Sequence, residues 1–291
     1  MSHTPPAAAD APWTRQLEVL SCPLCGERLT LADRALRCPA RHAFDVAKQG
    51  YVGLLTGNMR AGSADTAAMV QARTDFLEGG HYAPLARTLA EVASGACPPD
   101  GNVLDAGTGT GYYLAAVLDA LPQAAGLGLD VSKFALRRAA RAHTRACAAT
   151  WDLWQPLPVR TGSVDLVLNV FAPRNGAEFR RVLRPGGALV VATPAAAHLK
   201  ELRDALGLGM LSVDAAKDER LHRTLDEHFR RERAEACAYE VELGAEDVVN
   251  VVGMGPSAHH VDGEELRRRV DALGLPLRVG VSFLVSVYRP R

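Results

Sequence analysis

Four residues of metal-binding type lie close together near the start of the chain. Cys22 and Cys25 form a Cys-x-x-Cys-Gly turn, and Cys38 and His42 follow as a second pair. Three thiolates and one imidazole complete a tetrahedral set and leave no open position for catalysis. The spacing therefore predicts one structural zinc ion per chain. The other cysteines sit among apolar or alanine-rich neighbours and are expected to be buried free thiols: Cys97, Cys147 and Cys237.

Residues 101–111 have the composition of a turn that holds a nucleotide-like ligand. An apolar strand at 102–104 runs into Asp105, and glycines follow at positions 107, 109 and 111. A helical run at 112–121 comes directly after them. Glycine leaves room where the backbone must approach a ligand, and a helix N-terminus attracts polar or anionic groups. Because glycine turns are common, the motif needs support from its surroundings.

Residues that follow the neighbouring strands supply that support. Asp130 closes the next apolar stretch, where an acid can accept hydrogen bonds from both ribose hydroxyls, and Asp152 follows the third strand. Arg184-Pro-Gly-Gly187 precedes a fifth strand, and residues 279–288 alternate apolar with small or polar side chains. This order of elements points away from NAD and resembles a class I S-adenosylmethionine (SAM) methyltransferase.

The alternation of strands and helices after residue 101 predicts an α/β fold with a Rossmann-like, mostly parallel sheet. A helix is expected from Ser132 to about Ala148, a largely helical segment at 199–233, and a strand at 239–243. The expected segments are a disordered tail, a zinc-binding RNA-recognition module and a class I SAM-dependent methyltransferase domain, at residues 1–13, 14–60 and 61–291 respectively.

Charge and hydropathy limit the choice of partners. Net charge is zero, so any contact with nucleic-acid phosphates must come from a local patch. Residues 13–60 carry seven basic and four acidic side chains, a local excess of +3. No run approaches the roughly 20 apolar residues that span a bilayer, and the tail lacks the pattern of a signal peptide. A cytoplasmic protein without a membrane partner is expected, and a homodimer is one option for its assembly.

With these motifs in place, the chain resembles the bacterial 23S ribosomal RNA guanine-N1 methyltransferases that modify a domain II hairpin lining the peptide exit tunnel. The likeness runs from about Leu20 to the C-terminus and includes the cysteine–histidine knuckles, residues 44–52 and Leu129-Asp-Val-Ser-Lys133. Residues 169–175 and 254–257 look closer to the actinomycete branch associated with resistance to macrolides such as tylosin. The resemblance implies SAM-dependent N1-methylation of a guanine in 23S rRNA, with SAM and one zinc ion as cofactors.

The two ends of SAM differ in chemistry, and the class implies a residue for each. Asp105 and the backbone of the glycine turn would hold the methionyl end, Asp130 the ribose and Asp152 the adenine amino group. Arg73 and Tyr82 lie on helices before the first sheet strand, where they would close over the methionine carboxylate, although structural roles fit them as well. The expected cofactor-binding residues are Asp105, Ala106, Gly107, Thr108, Gly109, Asp130, Asp152, Arg73 and Tyr82.

Two residues are candidates for the chemical step. Methyl transfer is an in-line displacement in which positioning supplies much of the rate, but the N1 proton of guanine must also be accepted by some group. Asn169 lies at the end of the fourth expected strand, residues 164–170, where its amide is expected to pair with an edge of the target base. His260 lies in the loop after Met254-Gly-Pro-Ser257 and is the candidate base, with a structural or merely exposed histidine as the alternative.

Two other functions are compatible with these residues. A methyltransferase that acts on a small natural product would suit the zero net charge, whereas the zinc module favours RNA. A zinc-dependent binding protein with a relic SAM fold would have no activity, but the complete set of Asp105, Asp130 and Asp152 argues against it. Methyl transfer from labelled SAM to protein-free 23S RNA, followed by mapping of the base, would separate the three.

Overall fold

The computed structural model describes residues 11–55, 64–207, 224–255 and 262–291. Its strands are β1 Thr30–Ala32, β2 Ala35–Arg37, β3 Ala43–Asp45, β4 Val52–Gly53, β5 Asn102–Ala106, β6 Ala125–Asp130, β7 Ala146–Thr150, β8 Val164–Val170, β9 Leu183–Pro194, β10 Phe229–Leu243 and β11 Leu277–Pro290. Its helices are α1 Ala11–Gln16, α2 Ala67–Glu78, α3 Ala83–Ala96, α4 Tyr112–Ala120, α5 Lys133–Ala142, α6 Gly176–Val182, α7 Lys200–Leu206, α8 Ala245–Gly253 and α9 Gly263–Asp271.

Eight strands form one sheet in the order β10-β11-β9-β8-β5-β6-β7-β4. The strands from β9 to β4 run parallel, whereas β11 pairs antiparallel with β9 and β10 pairs antiparallel with β11. From β5 the chain moves outward to β7, whose outer neighbour is the earlier strand β4, and then returns to build β8 on the other side of β5. In doubly wound sheets a ligand crevice lies where the strand order reverses, outside the carboxyl ends of the strands. The fold confirms the expected α/β class, and its strand order reverses between β5 and β8, so the expected crevice lies beyond these two strands.

Helices cover one face of the sheet. Residues of α3, α4, α7, α8 and α9 form one core cluster with side chains from β5, β8, β9 and β11. Every residue of β5, β7 and β8 is buried. Burial on both faces explains why these strands are almost continuously apolar in the sequence.

The opposite face is covered partly by the N-terminal segment. The connection between β7 and β8, residues 151–163, contains no helix that could cover this side of β6 and β7. Trp13 and Leu20 pack there instead, in one core cluster with Leu127 and Leu129 of β6. The N-terminal segment therefore occupies the position of a missing crossover helix.

Backbone pairing joins the N-terminal segment to the same sheet. β4 pairs in parallel with the carboxyl end of β7, and the amide of Leu54 donates to the Thr150 hydroxyl across 3.0 Å. Leu20 forms a bridge with Val159, and the amide of Arg160 donates to the Val19 carbonyl across 2.9 Å. The segment is thus an integral part of the α/β fold, while the domain boundary at residue 60 remains a prediction.

Three elements differ from the sequence-based expectations. The helix after Ser132 ends at Ala142, because residues 146–150 form the buried strand β7. β10 begins at Phe229, ten residues before the expected strand, so the C-terminal part of the expected helical segment is wrong. β9 already includes Arg184-Pro-Gly-Gly187, which was expected to precede the strand.

In the described part of the chain, no helix combines the length and the apolar character that a membrane span requires.

Candidate cofactor and metal sites

The four predicted metal ligands converge in the structure. The Cys22, Cys25 and Cys38 sulfurs and a ring nitrogen of His42 all lie within 4.8 Å of one another. Cys25 Sγ is 3.6 Å from Cys38 Sγ, and His42 Nδ1 is 3.5 Å and 3.4 Å from the Cys22 and Cys38 sulfurs. Zn–S and Zn–N bonds of about 2.3 and 2.0 Å at tetrahedral angles predict edges of about 3.8 and 3.5 Å. These three ligand–ligand distances agree with the expected values, so the site fits zinc, with His42 binding through Nδ1.

Two tight turns hold these ligands. Gly26 has a φ of +75°, and its amide donates to the Cys22 carbonyl across 2.8 Å. In the second turn the amides of Cys38 and Arg41 bond to the carbonyls of His42 and Cys38, with Arg41 also at positive φ. The left-handed conformation is one that glycine adopts without a steric cost, which explains Gly26 directly after the Cys-x-x-Cys pair.

The glycine turn after β5 needs its glycines for conformation and for space. Gly107, Gly109 and Gly111 have φ values of +88°, +53° and +82°. A Cβ atom at Gly107 would lie 2.2 Å from the Cβ of Ala172, and one at Gly111 would lie 2.9 Å from the Cα of Ala139. The turn is therefore pressed against both the loop after β8 and helix α5.

The backbone amides of this turn are used within the protein. Gly107 and Thr108 both donate to the carbonyl of Leu129, across 2.9 and 3.0 Å. Gly109 donates to Oδ2 of Asp130 across 2.9 Å. These bonds fix the turn to the end of β6, so the turn gives shape to the crevice, and its contact with the methionyl end of SAM remains a prediction.

Asp130 ends β6 beside the turn, as the sequence predicted. Its Oδ1 accepts from the amide of Ser132 across 2.8 Å, in addition to the bond of Oδ2 with Gly109. Each carboxylate oxygen has a further lone pair that a ribose hydroxyl can use. Burial raises the pKa of Asp130, while the two amides oppose that shift. The carboxylate is thus oriented by the backbone for a neutral hydrogen-bond donor.

Asp105 lies deeper, at the end of β5, and is 2% exposed. Its Oδ1 and the Oγ1 of Thr108 have no hydrogen-bond partner among the described residues. Burial raises the pKa of Asp105 to about 7, the nearby Thr108 hydroxyl opposes this shift, and the charge of Asp130 adds to it. A buried carboxylate oxygen without a partner is costly, so this position suits a cationic ligand group such as the ammonium of the methionyl end.

Asp152 lies beside Asp130 because β6 and β7 are neighbours. The amide of Trp151 donates to the Asp130 carbonyl across 2.9 Å, and Asp152 follows. Oδ1 of Asp152 accepts from the amide of Trp154 across 3.0 Å, which fixes the carboxylate in an Asx turn. The parallel sheet therefore brings the three predicted acids together at the carboxyl ends of its strands.

Arg73 and Tyr82 are placed differently around this crevice. Arg73 pairs with Asp65 and donates to the carbonyl of Met254 across 2.8 Å; its Nη1 would lie 3.7 Å from a Cβ at Gly109. A positive charge thus stands over the turn, as a methionine carboxylate requires. The Tyr82 hydroxyl is instead 3.0 Å from Nε2 of His198, in a buried aromatic cluster. Ligand contacts of both residues remain predictions.

Asn169 is buried at the end of β8. Its Nδ2 donates to the carbonyls of Ala106 and Pro173 across 2.9 and 3.0 Å. Both amide hydrogens are therefore occupied and hold the two sides of the turn together, while Oδ1 has no partner among the described residues. Contact of Asn169 with a target base remains a prediction. His260, the candidate base, lies outside the described residues.

Two residues that the sequence analysis did not single out contribute to the crevice. Asp65 pairs with Arg73, and its carbonyl accepts the Ser132 hydroxyl across 2.9 Å. Asp65 belongs to none of the motifs described above, so the sequence gives no signal for it. Phe171 directly follows β8 and is 44% exposed beside the glycine turn. An aromatic residue just past a buried strand at the switch point is a signal that could have found it.

The fold and the oriented acids define a class I SAM-dependent methyltransferase joined to a zinc ribbon. Two family models match the chain, the RlmA N-terminal zinc ribbon at residues 20–60 and a methyltransferase domain at residues 103–187. The chain is 48% identical to the 23S rRNA (guanine(748)-N(1))-methyltransferase of Streptomyces fradiae, over 93% of this chain and 96% of that protein. It belongs to the family of 23S rRNA (guanine-N1)-methyltransferases.

Two further relatives carry provisional names of the same kind. A Micromonospora griseorubida protein with the provisional name 23S rRNA (guanine-N(1)-)-methyltransferase is 51% identical over 93% of this chain and 97% of its own length. YxjB of Bacillus subtilis, also named provisionally, is 34% identical over 66% of this chain and 70% of its own length. The expected family and its two cofactors, SAM and zinc, are thereby confirmed.

Proposed function

We propose that this protein transfers the methyl group of SAM to N1 of a guanine in 23S ribosomal RNA. The proposal is supported above all by the match to the Streptomyces fradiae enzyme along almost the whole chain, zinc ribbon included. SAM, when bound, supplies a methyl group on a positively charged sulfur. The protein binds and orients the cofactor through Asp130 and Asp105 and places the crevice of β5 and β8 next to the RNA.

The partner is 23S rRNA and the site of action is the cytoplasm, where ribosomes are assembled. The zinc ribbon adds basic side chains at the edge of the sheet, with Arg28, Arg34 and Arg37 all exposed. Phosphate contacts of this kind weaken as salt rises, because bound counterions are released from the RNA. RNA affinity is therefore expected to fall steeply with salt, whereas SAM affinity changes little.

The direct test is transfer of a labelled methyl group from SAM to protein-free 23S RNA, followed by mapping of the modified base. The Streptomyces fradiae relative is named for guanine 748, so the corresponding hairpin is the first substrate to use. Methylation at N1 of one guanine is expected. No transfer to 23S RNA or its domain II fragments by zinc-loaded protein that binds SAM would overturn the proposal and leave a small natural product as substrate.

We also propose that the modification confers macrolide resistance, since residues 169–175 and 254–257 resemble the actinomycete branch. Expression in a macrolide-susceptible bacterium should raise the inhibitory concentration of tylosin. An Asp130→Ala variant produced at the same level is the matched control. Equal inhibition of cells with either protein, despite complete methylation by the wild type, would contradict a role in resistance.

A further inference from the structure

Phe171 is an exposed aromatic residue in an unusual place. Only Leu24, Trp154 and Phe171 are large, apolar and more than a third exposed in the described part of the chain. A single exposed apolar side chain is ordinary on a protein surface. Phe171, however, follows the last residue of β8 at the point where the strand order reverses, and its neighbour Ala172 contacts the glycine turn at Gly107.

The backbone at Phe171 is held in a conformation that a bulky residue rarely adopts. Its φ is +55°, in the left-handed region that favours glycine. The amide donates to the Ala192 carbonyl of β9 across 3.3 Å, and Asn169 holds the Pro173 carbonyl two residues further on. Strained backbone of this kind persists where the surroundings fix it, and it is concentrated at functional sites.

Neighbouring rings fix the side chain as well. The ring of Phe171 meets Tyr113 nearly edge-to-face, with centroids 6.2 Å apart and planes at 81°. On another side it packs against Phe283, with centroids 5.3 Å apart and planes at 38°. Tyr113 lies in the first turn of α4, directly after the glycine turn. The exposed part of the ring is therefore a rigid apolar surface at the mouth of the cofactor crevice.

We infer that Phe171 is the platform on which the target guanine stacks once it has left its RNA hairpin. The inference rests on the proposed function and assigns the target-base side of the crevice. An enzyme that modifies a base edge inside a folded hairpin must first take the base out of its stack. A flat aromatic surface recovers part of the lost stacking without a hydrogen bond to the base. The buried Asn169 then positions the platform instead of touching the base.

The test uses full-length, zinc-loaded protein and the domain II hairpin of 23S RNA. Phe171→Leu keeps an apolar side chain but removes the aromatic face, while Phe171→Tyr and Phe171→Trp keep it. The leucine variant should lower kcat/KM for RNA roughly 10- to 100-fold, in line with the loss of one base-stacking contact. The loss should lie mainly in kcat, because the phosphate contacts that set RNA affinity remain. The tyrosine and tryptophan variants keep the aromatic face, so their kcat/KM for RNA should stay within about threefold of the wild-type value.

SAM binding by titration calorimetry and the melting temperature are measured for each variant. Unchanged SAM affinity in Phe171→Leu, together with rescue by the aromatic variants, supports the platform. A leucine variant that methylates at the wild-type rate overturns it. So does an equal loss of SAM affinity, which would make Phe171 a support of the cofactor turn. If the wild type itself methylates no RNA, the proposed function fails, a result that is separate from either variant outcome.

Discussion

Asn169 donates a hydrogen bond from its side-chain amide to the backbone oxygen of Ala106 across 2.9 Å. Ala106 is the last residue before the glycine turn, and the second amide hydrogen binds Pro173 in the loop after β8. A single buried side chain thus connects the cofactor side of the crevice with the loop that carries Phe171. Displacement of this amide would shift the loop that carries Phe171 relative to the glycine turn.

Asn169→Leu, which has a similar volume, should therefore impair both stability and methyl transfer. The buried carbonyl of Ala106 and the part-buried carbonyl of Pro173 lose their partner, which costs about 1–3 kcal/mol in the free energy of unfolding. The rate of a single turnover should fall by a larger factor than the affinity for SAM, because the loop after β8 moves. Urea denaturation and rapid-quench methylation measure the two effects. A variant with full stability that loses only RNA affinity would favour the original prediction of a base contact.

Asp130→Ala should weaken SAM binding roughly 10- to 100-fold, since charge-assisted hydrogen bonds contribute about 1.5–3 kcal/mol. The amides of Gly109 and Ser132 lose their acceptor at the same time, so the turn also loosens. Asp130→Asn keeps one acceptor oxygen, so its affinity for SAM is expected to lie between those of the wild type and of Asp130→Ala. Titration calorimetry with SAM decides, and equal affinities in all three proteins would place the ribose elsewhere.

Asp105 is expected to make SAM affinity depend on pH. Burial raises its pKa to about 7 in the free protein, and a cationic ligand group favours the charged carboxylate. Below pH 7 binding must therefore expel a proton, and affinity should fall by up to about tenfold per pH unit. Calorimetry in buffers of different ionisation enthalpy should detect the released proton at pH 6. Asp105→Asn is the control, and a pH dependence that persists in it would assign the proton to another group.

The same carboxyl affects the stability of the free protein in the opposite sense to a salt-bridged aspartate. Its pKa is raised from 3.8 to about 7, so the folded state holds a proton that the unfolded state has already released. Between about pH 4 and 7 the contribution of Asp105 to the free energy of unfolding therefore decreases as pH rises. Urea midpoints of the wild type and of Asp105→Asn across this range should diverge toward pH 7, with the variant the more stable.

The site was more predictable from the sequence than some of the elements that surround it. Spacing alone identified the zinc ligands and the acids at the strand ends, because ligand chemistry and parallel strands restrict where such residues can lie. Residues 146–150, Ala-Cys-Ala-Ala-Thr, carry good helix formers but form β7, since burial between two layers overrides local propensity. Phe171 escaped notice because its exposure depends on tertiary packing.

The position of the N-terminal segment also could not be predicted from the sequence. A separate zinc-binding module at residues 14–60 was expected, yet Trp13 and Leu20 complete the core beneath β6. Pro156 and Pro158 already argue against a helix in the connection at 151–163, but nothing in a linear pattern reveals which part of the chain covers the sheet in its place. Because of this packing, removal of the zinc ion should affect the sheet as well as the ribbon.

Loss of zinc should therefore destabilise the whole protein in one cooperative step. Cys25→Ser removes an exposed ligand without disturbing the apolar core directly, and closed zinc sites contribute folding free energy. The ribbon residues pack on the same sheet that carries Asp130, so SAM affinity and the melting temperature should fall together. Leu24→Ser, in the same turn and 54% exposed, is the matched control and should retain zinc and stability. Two separate melting transitions, with SAM binding intact after chelation, would show that ribbon and sheet fold independently despite their common core.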